Sequence, residues 1–480
     1  MGTEITLPFW LFLLLVCFAA LLVLDRILLP GARWYLRRRV NRVLDEINTR
    51  LQMEIRPFQQ TQKQALVEQL VYDEKVMEAM KAYAAEHNMP KEVAQAKVTE
   101  YACEIAPTFN AYVYFRFGYW LAKGIARLMY RIRVGFHDGG ELRKVPHDAS
   151  VVFVMNHRSN MDYVLVSFLA AERTALSYAV GEWARIWPLQ SLIKAMGAFF
   201  VRRNSNNALY RKVLERYVNL ATRAGVCQAV FLEGGLTRDG ALRDPKLGFL
   251  DYMLRDYHPG VDRDVVFVPV GINYDRVAED RSLVRTLDPE AERRSKWFVI
   301  KTTLRFTFKH LMMPRRQRWR RFGYASVNFG RPLNARAFCE ERFEQCDMSQ
   351  LDKEARIDCV QQLADALMDE IAQIVPVLPV ALVSETLLAL DGEAASELEI
   401  KAKAMHRIDE LKQQGAPIDI SETVTEGVLM AALDMLSGRG LIDWQDGLYR
   451  VNGDEVDMLQ YYANSIASWQ DVSPPASPAS

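Results

Sequence analysis

The sequence predicts an α/β fold, a mixed and mainly parallel sheet flanked by helices, with an N-terminal transmembrane helix and helical N- and C-terminal extensions. Three observations carry this expectation. Between residues 150 and 335 short apolar runs alternate with amphipathic segments, the pattern of strands and covering helices. Ahead of that region apolar residues recur at helical spacing in a polar stretch. At the start, Ile5 to Leu24 reads ITLPFWLFLLLVCFAALLVL, about the ~20 residues that a bilayer-crossing helix needs.

Each element follows from its residues. Residues 1–29 form the expected membrane anchor. Trp10, Trp34 and Tyr35 sit where interfacial aromatics are common, and Arg26, Arg33, Arg37, Arg38, Arg39 and Arg42 all follow the apolar run. Glu4 precedes it, with no Lys or Arg, so the positive-inside rule places the body of the protein on the cytoplasmic side of the inner membrane, with a single pass. A cleaved signal peptide is disfavoured, since there is no basic region before the run and a poor small-x-small site after it. Residues 30–110 are read as helical, with Leu66, Leu70, Val76 and Met80 on apolar faces and a turn at Asn88-Met89-Pro90. The segment 111–134 is rich in aromatics (Tyr112, Tyr114, Phe115, Phe117, Tyr119, Trp120) and is read as a helix, either at a membrane surface or packed on a sheet.

The α/β domain is expected over 111–335. Candidate strands are 150–155, 175–180, 198–201, 227–232, 265–273 and 322–329; candidate helices are 161–171, 184–195, 205–224 and 246–256. From Arg293 to Arg321 there are eleven Lys/Arg and no Asp/Glu, with Trp297, Ile300, Leu304, Phe308 and Leu311 at near-helical spacing, the signature of a basic amphipathic helix at a lipid surface or against an anionic ligand. Residues 376–382 look like a junction within a helical region that spans 336–470 and includes a short hairpin near Trp444–Val451. The Pro/Ser-rich tail, 471–480, is expected to be disordered.

Composition excludes little by charge, because Lys+Arg and Asp+Glu are equal at 60 each. The six cysteines, Cys17, Cys103, Cys227, Cys339, Cys346 and Cys359, are scattered without a Cys-x-x-Cys pair, which points to reduced thiols and to neither a disulfide framework nor a zinc site. No Gly-x-Ser-x-Gly elbow and no Gly-Lys-Ser/Thr phosphate loop is present.

Four blocks carry candidate chemistry. Asn156-His157-Arg158-Ser159-Asn160-Met161-Asp162 follows the apolar run 151–155. Histidine titrates near neutrality, so His157 is a natural general base, and Asp162 can accept the proton on its other ring nitrogen and fix the tautomer. Alone, a histidine five residues before an aspartate is weak evidence, since most such histidines are structural. Gly197-Ala-Phe-Phe-Val-Arg202-Arg203 ends a short strand in two guanidinium groups, which suit phosphate, although adjacent residues of a strand face opposite ways. Phe231-Leu-Glu233-Gly234-Gly-Leu236-Thr-Arg238 combines glycines that permit close backbone approach with a third candidate cation. Glu233 could hold an arginine or bind an acceptor hydroxyl. The fourth block, Pro269-Val-Gly-Ile-Asn-Tyr274-Asp275, is a buried strand running into polar residues.

In this order the blocks resemble the four motifs of the glycerolipid acyltransferases, most of all the bacterial glycerol-3-phosphate 1-O-acyltransferases and their mitochondrial and peroxisomal relatives. Pro245-Lys-Leu-Gly248, Val327-Asn-Phe-Gly330 and Tyr461-Tyr462-Ala-Asn464 extend the resemblance over roughly residues 110–470. It implies that fold and a transfer of a fatty acyl group from acyl-CoA or acyl-carrier protein to the sn-1 hydroxyl of glycerol 3-phosphate, giving lysophosphatidate. It makes His157 the base and Asp162 its partner, assigns Arg202, Arg203, Glu233, Gly234 and Arg238 to the acceptor, and gives the fourth motif a part in shaping the donor side. Many relatives have a basic residue where this chain has Leu236, which leaves one fewer cation for the acceptor phosphate. Expected partners are membrane lipids, glycerol 3-phosphate and the acyl donor, with no nucleic acid, no cofactor beyond the acyl co-substrate and no metal. Two alternatives stand beside this: the same chemistry on lysophosphatidate or dihydroxyacetone phosphate, and a non-catalytic lipid-binding protein of the same fold.

Overall fold

The computed structural model describes residues 56–136, 145–146, 148–170, 174–181, 189–202, 205–287, 322–342, 347–418 and 425–469. The expected anchor, the basic stretch Arg293–Arg321, Arg203 and the tail 471–480 lie outside the described residues. Among those described, no helix is long and apolar enough to cross a membrane.

After a four-residue helical turn at Pro57–Gln60 come three longer helices: α1 (Lys63–Val71), α2 (Glu74–Glu86) and α3 (Lys91–Ile105). The Asp73 side chain caps α2 by accepting from the backbone N–H groups of Lys75 and Val76. Asn88 takes a positive φ of 46° in the α2–α3 turn, a conformation that Asn tolerates better than most residues. Each helix buries one stripe, Leu66/Leu70, Val76/Met80/Ala84 and Ala94/Val98/Ala102/Ile105. Between them and the sheet the chain forms a π-helical turn at Val113–Gly118, then α4 (Tyr119–Met129).

The strands are β1 (Arg131–Phe136), β2 (Ser150–Met155), β3 (Ser177–Gly181), β4 (Phe199–Val201), β5 (Gln228–Phe231), β6 (Val265–Tyr274), β7 (Tyr324–Phe329) and β8 (Leu333–Asn334). The helices between them are α5 (Met161–Ala170), α6 (Leu189–Ala195), α7 (Ala208–Arg223) and α8 (Gly248–Leu254). The strand order is β1-β7-β6-β2-β5-β3-β4, with β8 beside β6. All pairs from β6 across to β4 are parallel, as is β1–β7; β6–β7 and β6–β8 are antiparallel. The sheet is therefore mixed and mainly parallel. Its inner strands are buried on both faces, which is why β2 and β6 are near-continuous runs of Val, Phe and Ile.

One expected boundary needs correction. The aromatic helix ends at Met129, and Arg131–Phe136 pairs in parallel with Tyr324–Phe329 as an edge strand. The residues alternate, Arg131, Arg133 and Gly135 against Ile132, Val134 and Phe136, and that period of two wins over the helical spacing upstream.

The C-terminal elements are α9 (Ala335–Arg342), α10 (Lys353–Ile374), α11 (Pro379–Leu388), β9 (Ala395–Ser396), α12 (Glu397–Gln413), α13 (Thr425–Ser437), the hairpin β10 (Ile442–Gln445) and β11 (Leu448–Val451), and α14 (Val456–Ala463). The hairpin turns through Asp446 and Gly447, both at positive φ, the pair of angles that a two-residue hairpin loop demands. The long α10 lies on β6. Its C-terminal carbonyl at Ile374 accepts from Asn328 Nδ2 at 3.0 Å, and the absent side chain of Gly271 makes room for that same carbonyl.

Candidate active site

The site begins with a difference in strand length. Met155, the last residue of β2, pairs with Val270, but β6 continues to Tyr274. The overhang of four residues, roughly 13 Å at ~3.3 Å per residue, runs beside the loop that leaves β2. Asn156 joins the two. Its side chain donates to the Ile272 carbonyl at 2.9 Å and accepts from the Ile272 N–H at 2.8 Å, so an amide side chain stands in for one more residue of strand. Ser159 Oγ then accepts from Met161 N–H at 3.1 Å as α5 begins, which turns the chain back and lays Asp162 against His157.

His157 Nδ1 lies 2.9 Å from Asp162 Oδ2, and both residues are buried, 1% and 0% exposed. The same oxygen accepts from the backbone N–H groups of Arg158 (2.8 Å) and Ser159 (3.0 Å). Oδ1 accepts from the Tyr274 hydroxyl at 2.6 Å. A carboxylate with this many donors is held in one orientation. Since Asp162 accepts, Nδ1 carries the proton of a neutral ring and Nε2 is left with its lone pair. Nε2 is buried and has no hydrogen-bond partner among the described residues. The ring stacks on Phe231 (3.9 Å, 22°) and meets the edge of Tyr163 (5.4 Å).

Glu233 follows β5, the neighbour of β2, and its Oε1 accepts from the His157 backbone N–H at 2.9 Å. Its other oxygen is buried without a partner among the described residues. Burial pushes the Glu233 carboxyl up to about 8, against the opposing pull of the His157 N–H, Arg158 and Arg243. Gly234 has a φ of +68°, and a Cβ there would press on the Lys246 side chain at 2.9 Å, so glycine is required both for the turn and for space. Arg158 is 2% exposed; it donates to the Gly240 carbonyl and lies over the Tyr461 ring at 4.9 Å, while its Nε and Nη2 have no partner among the described residues.

The candidate cations are placed differently. Arg238 is exposed on the loop that follows Glu233. Arg202 follows β4, three strands from β2, roughly 14 Å away at ~4.8 Å per strand. Glu104 of α3 takes its guanidinium, Nε at 3.0 Å and Nη2 at 2.5 Å, between the rings of Tyr101 and Tyr210. The structure thus brings His157, Asp162, Glu233 and Gly234 together and ties Arg202 to the helical layer.

Residues that the motif reading did not single out complete the arrangement. Glu279 is buried; it accepts from Ser159 Oγ (2.7 Å) and Asn160 Nδ2 (3.1 Å), and burial raises its carboxyl above the ordinary range. Tyr274 lay within the fourth motif but was not given to the base. The one available signal was a phenol at the end of a long apolar strand, a position that demands a partner. Among the described residues there is no cluster of three or more His, Cys, Asp or Glu that could hold a metal ion.

Fold and site define a class: an α/β protein with a buried, unidirectional His–Asp pair at the carboxyl end of a parallel strand. Comparison with known proteins narrows it. Residues 140–273 match the acyltransferase family model, and residues 307–469 match the model for the glycerol-3-phosphate acyltransferase C-terminal region. Relatives named glycerol-3-phosphate acyltransferase include those of Aeromonas hydrophila subsp. hydrophila (27% identical over 413 residues, 84% of this chain and 49% of that protein) and Pseudomonas fluorescens strain Pf0-1 (28% over 421 residues, 84% and 47%). The crystal structure of the 1-acyl-sn-glycerophosphate (LPA) acyltransferase PlsC from Thermotoga maritima covers 53% of this chain and 77% of its own, at 16% identity and a TM-score of 0.29. The chain is thus similar to glycerolipid acyltransferases along both stretches. It spans about half the length of the curated relatives it matches.

Proposed function

We propose that this protein is a membrane-bound glycerol-3-phosphate 1-O-acyltransferase that moves a fatty acyl group from acyl-CoA or acyl-carrier protein directly to the sn-1 hydroxyl. The observation that carries this reading is His157, held through Nδ1 by Asp162 with Nε2 unpartnered in a buried site. Nε2 takes the proton of the attacking hydroxyl as its oxygen bonds to the thioester carbonyl. Asp162 stabilises the imidazolium that forms, and collapse of the tetrahedral species expels the thiolate, which recovers the proton. Arg238, Arg203, Glu233 and Gly234 serve the acceptor, and the apolar run Ile5–Leu24 anchors the body on the cytoplasmic side of the inner membrane. The names of the relatives support the acceptor. The salt-bridged state of Arg202 and the presence of Leu236 both reduce the cations free for a phosphate, which favours keeping lysophosphatidate and dihydroxyacetone phosphate in the acceptor panel.

The test is product analysis after incubating full-length protein in detergent or lipid with palmitoyl-CoA and labelled glycerol 3-phosphate. Labelled lysophosphatidate is expected, and His157→Ala should lower turnover by about 10²–10⁴-fold with an unchanged thermal midpoint. An inert glycerol 3-phosphate beside an active lysophosphatidate would move the reading to the second acceptor, and thioester consumption by the variant at the wild-type rate would remove His157 from the chemistry.

A further inference from the structure

We propose that Tyr274 is a positioning residue of the His157–Asp162 pair: its hydroxyl fixes the Asp162 carboxylate and sets how tightly the pair binds a proton, so the fourth motif serves the base. This rests on the reading of His157 as the general base. The four-residue overhang of β6 is what delivers the phenol, because β2 stops at the level of Val270 and the loop from Asn156 to Asp162 must fold back along the remaining length of β6. The Tyr274 and Asp162 side chains are 1% and 0% exposed, and the 2.6 Å separation is that of a charge-assisted O–H···O⁻ bond. The two carboxylate oxygens are not equivalent. Oδ2 serves the ring and two backbone N–H groups, whereas Tyr274 is the partner of Oδ1 among the described residues. With both oxygens held, the plane of the carboxylate is set, and with it the tilt of the imidazole.

The phenol also governs charge. A donor on Oδ1 stabilises the anion, weakens its pull on the ring proton and so lowers the proton affinity of the pair. Among the described residues, the other ionisable groups that face the pair are Glu233 from the loop after β5, Glu279 from the segment after β6, Arg158 from the pair's own loop, Tyr163 from α5, whose ring lies 5.4 Å from that of His157, and Tyr130 before β1, whose ring lies 5.2 Å from that of Tyr274. Each carboxyl group raises the proton affinity of the pair only once it has lost its own proton, which burial delays to above the ordinary carboxylate range, whereas the Arg158 cation lowers it. Burial and the Asp162 charge hold the Tyr274 phenol well above its ordinary range, so it stays a donor at every working pH.

The test is Tyr274→Phe in the full-length protein, assayed with palmitoyl-CoA and glycerol 3-phosphate across pH. Phenylalanine keeps the ring against Tyr130 and removes only the hydroxyl. The expected result is a fall in kcat of about tenfold or more with both KM values within about twofold, since a hydrogen bond to a charged group is lost where the base works. The acidic limb of the kcat profile should move to higher pH by roughly half a unit or more, the direction set by loss of a donor to the anion. Replacement of Tyr274 by 3-fluorotyrosine, a stronger donor, should move the same limb to lower pH, and it retains the hydrogen bond if the Phe variant folds poorly. An unmoved limb in both variants would overturn the proposal, as would a raised donor KM with kcat intact, which would return the fourth motif to the acyl donor. A dead His157→Ala beside a Tyr274→Phe enzyme of wild-type pH profile removes this inference alone, whereas a fully active His157→Ala removes the reading on which it rests.

Discussion

Glu233 is both a hydrogen-bond partner of the His157 backbone and a buried acid whose carboxyl is raised to about 8 from an ordinary 4.5. The sign of its effect on stability follows from proton binding. Between those two values the unfolded chain has lost this proton while the folded protein keeps it, so the native state binds one proton more and stability falls as pH rises through the window. Glu233→Gln keeps an oxygen for the His157 N–H and has no proton to lose. Its urea midpoint should therefore decline less than that of the wild type between about pH 5 and pH 8. Equal slopes in the two proteins would show that Glu233 is ionised in the folded state. At this scale the sequence disclosed which residue types could act, because a base, a carboxylate and a cation are legible from chemistry. It did not disclose partners. Arg202 and Arg238 look alike as letters, yet one is gripped by Glu104 and the other is exposed.

Among the elements, strand β6 organises the site, and its packing against α10 depends on a residue with no side chain. A Cβ on Gly271 would sit 2.7 Å from the Ile374 carbonyl at the end of α10, a backbone atom that has no freedom to swing aside. Gly271→Ala should push α10 off the sheet and cost about 1–3 kcal/mol in denaturant unfolding, with a loss of activity through the displaced Tyr274. Wild-type stability in that variant would mean that α10 and β6 part easily. The alternation of apolar runs and amphipathic segments was enough to place most strands and helices within a few residues, since burial on two faces demands continuous apolar sequence. It misplaced β1, an edge strand half exposed to solvent, because an edge carries a weaker hydrophobic pattern than a central strand.

Taken whole, the molecule fastens its C-terminal region to the segment that follows β6. Asp280, just beyond Glu279, accepts from Arg439 at 2.6 Å and from the Tyr462 hydroxyl, and Arg439 in turn donates to Tyr462 at 2.9 Å. All three are buried, so the group is costly to break. Arg439→Ala leaves the Asp280 carboxylate without its cation and should destabilise the protein by about 3–5 kcal/mol. If both halves of the chain depend on this contact, calorimetry should show one transition moving to lower temperature; a second transition appearing with the first unmoved would mean that the C-terminal region folds by itself. Nearby, Tyr461 covers Arg158, Asn464 donates to the Asp239 carbonyl at 2.9 Å, and Ser465 Oγ receives Asn273 Nδ2 at 3.1 Å. The late Tyr-Tyr-Ala-Asn segment is thereby explained as packing around the loops that follow β2 and β5 and the end of β6.

The sequence by itself determined the α/β class, the strand that presents His157, the pairing of that histidine with Asp162 and the resemblance to the glycerolipid acyltransferases. These are local or strongly patterned properties: a periodicity, a five-residue spacing across a helix start, an ordered set of motifs. Tertiary structure alone decided that Tyr274 reaches Asp162, that Glu233 holds the His157 backbone, that Glu104 engages Arg202 and that the C-terminal helices lock onto Asp280. Each of these joins residues far apart in the chain, and such contacts depend on strand order, overhang and packing, for which no spacing along one sequence is a guide.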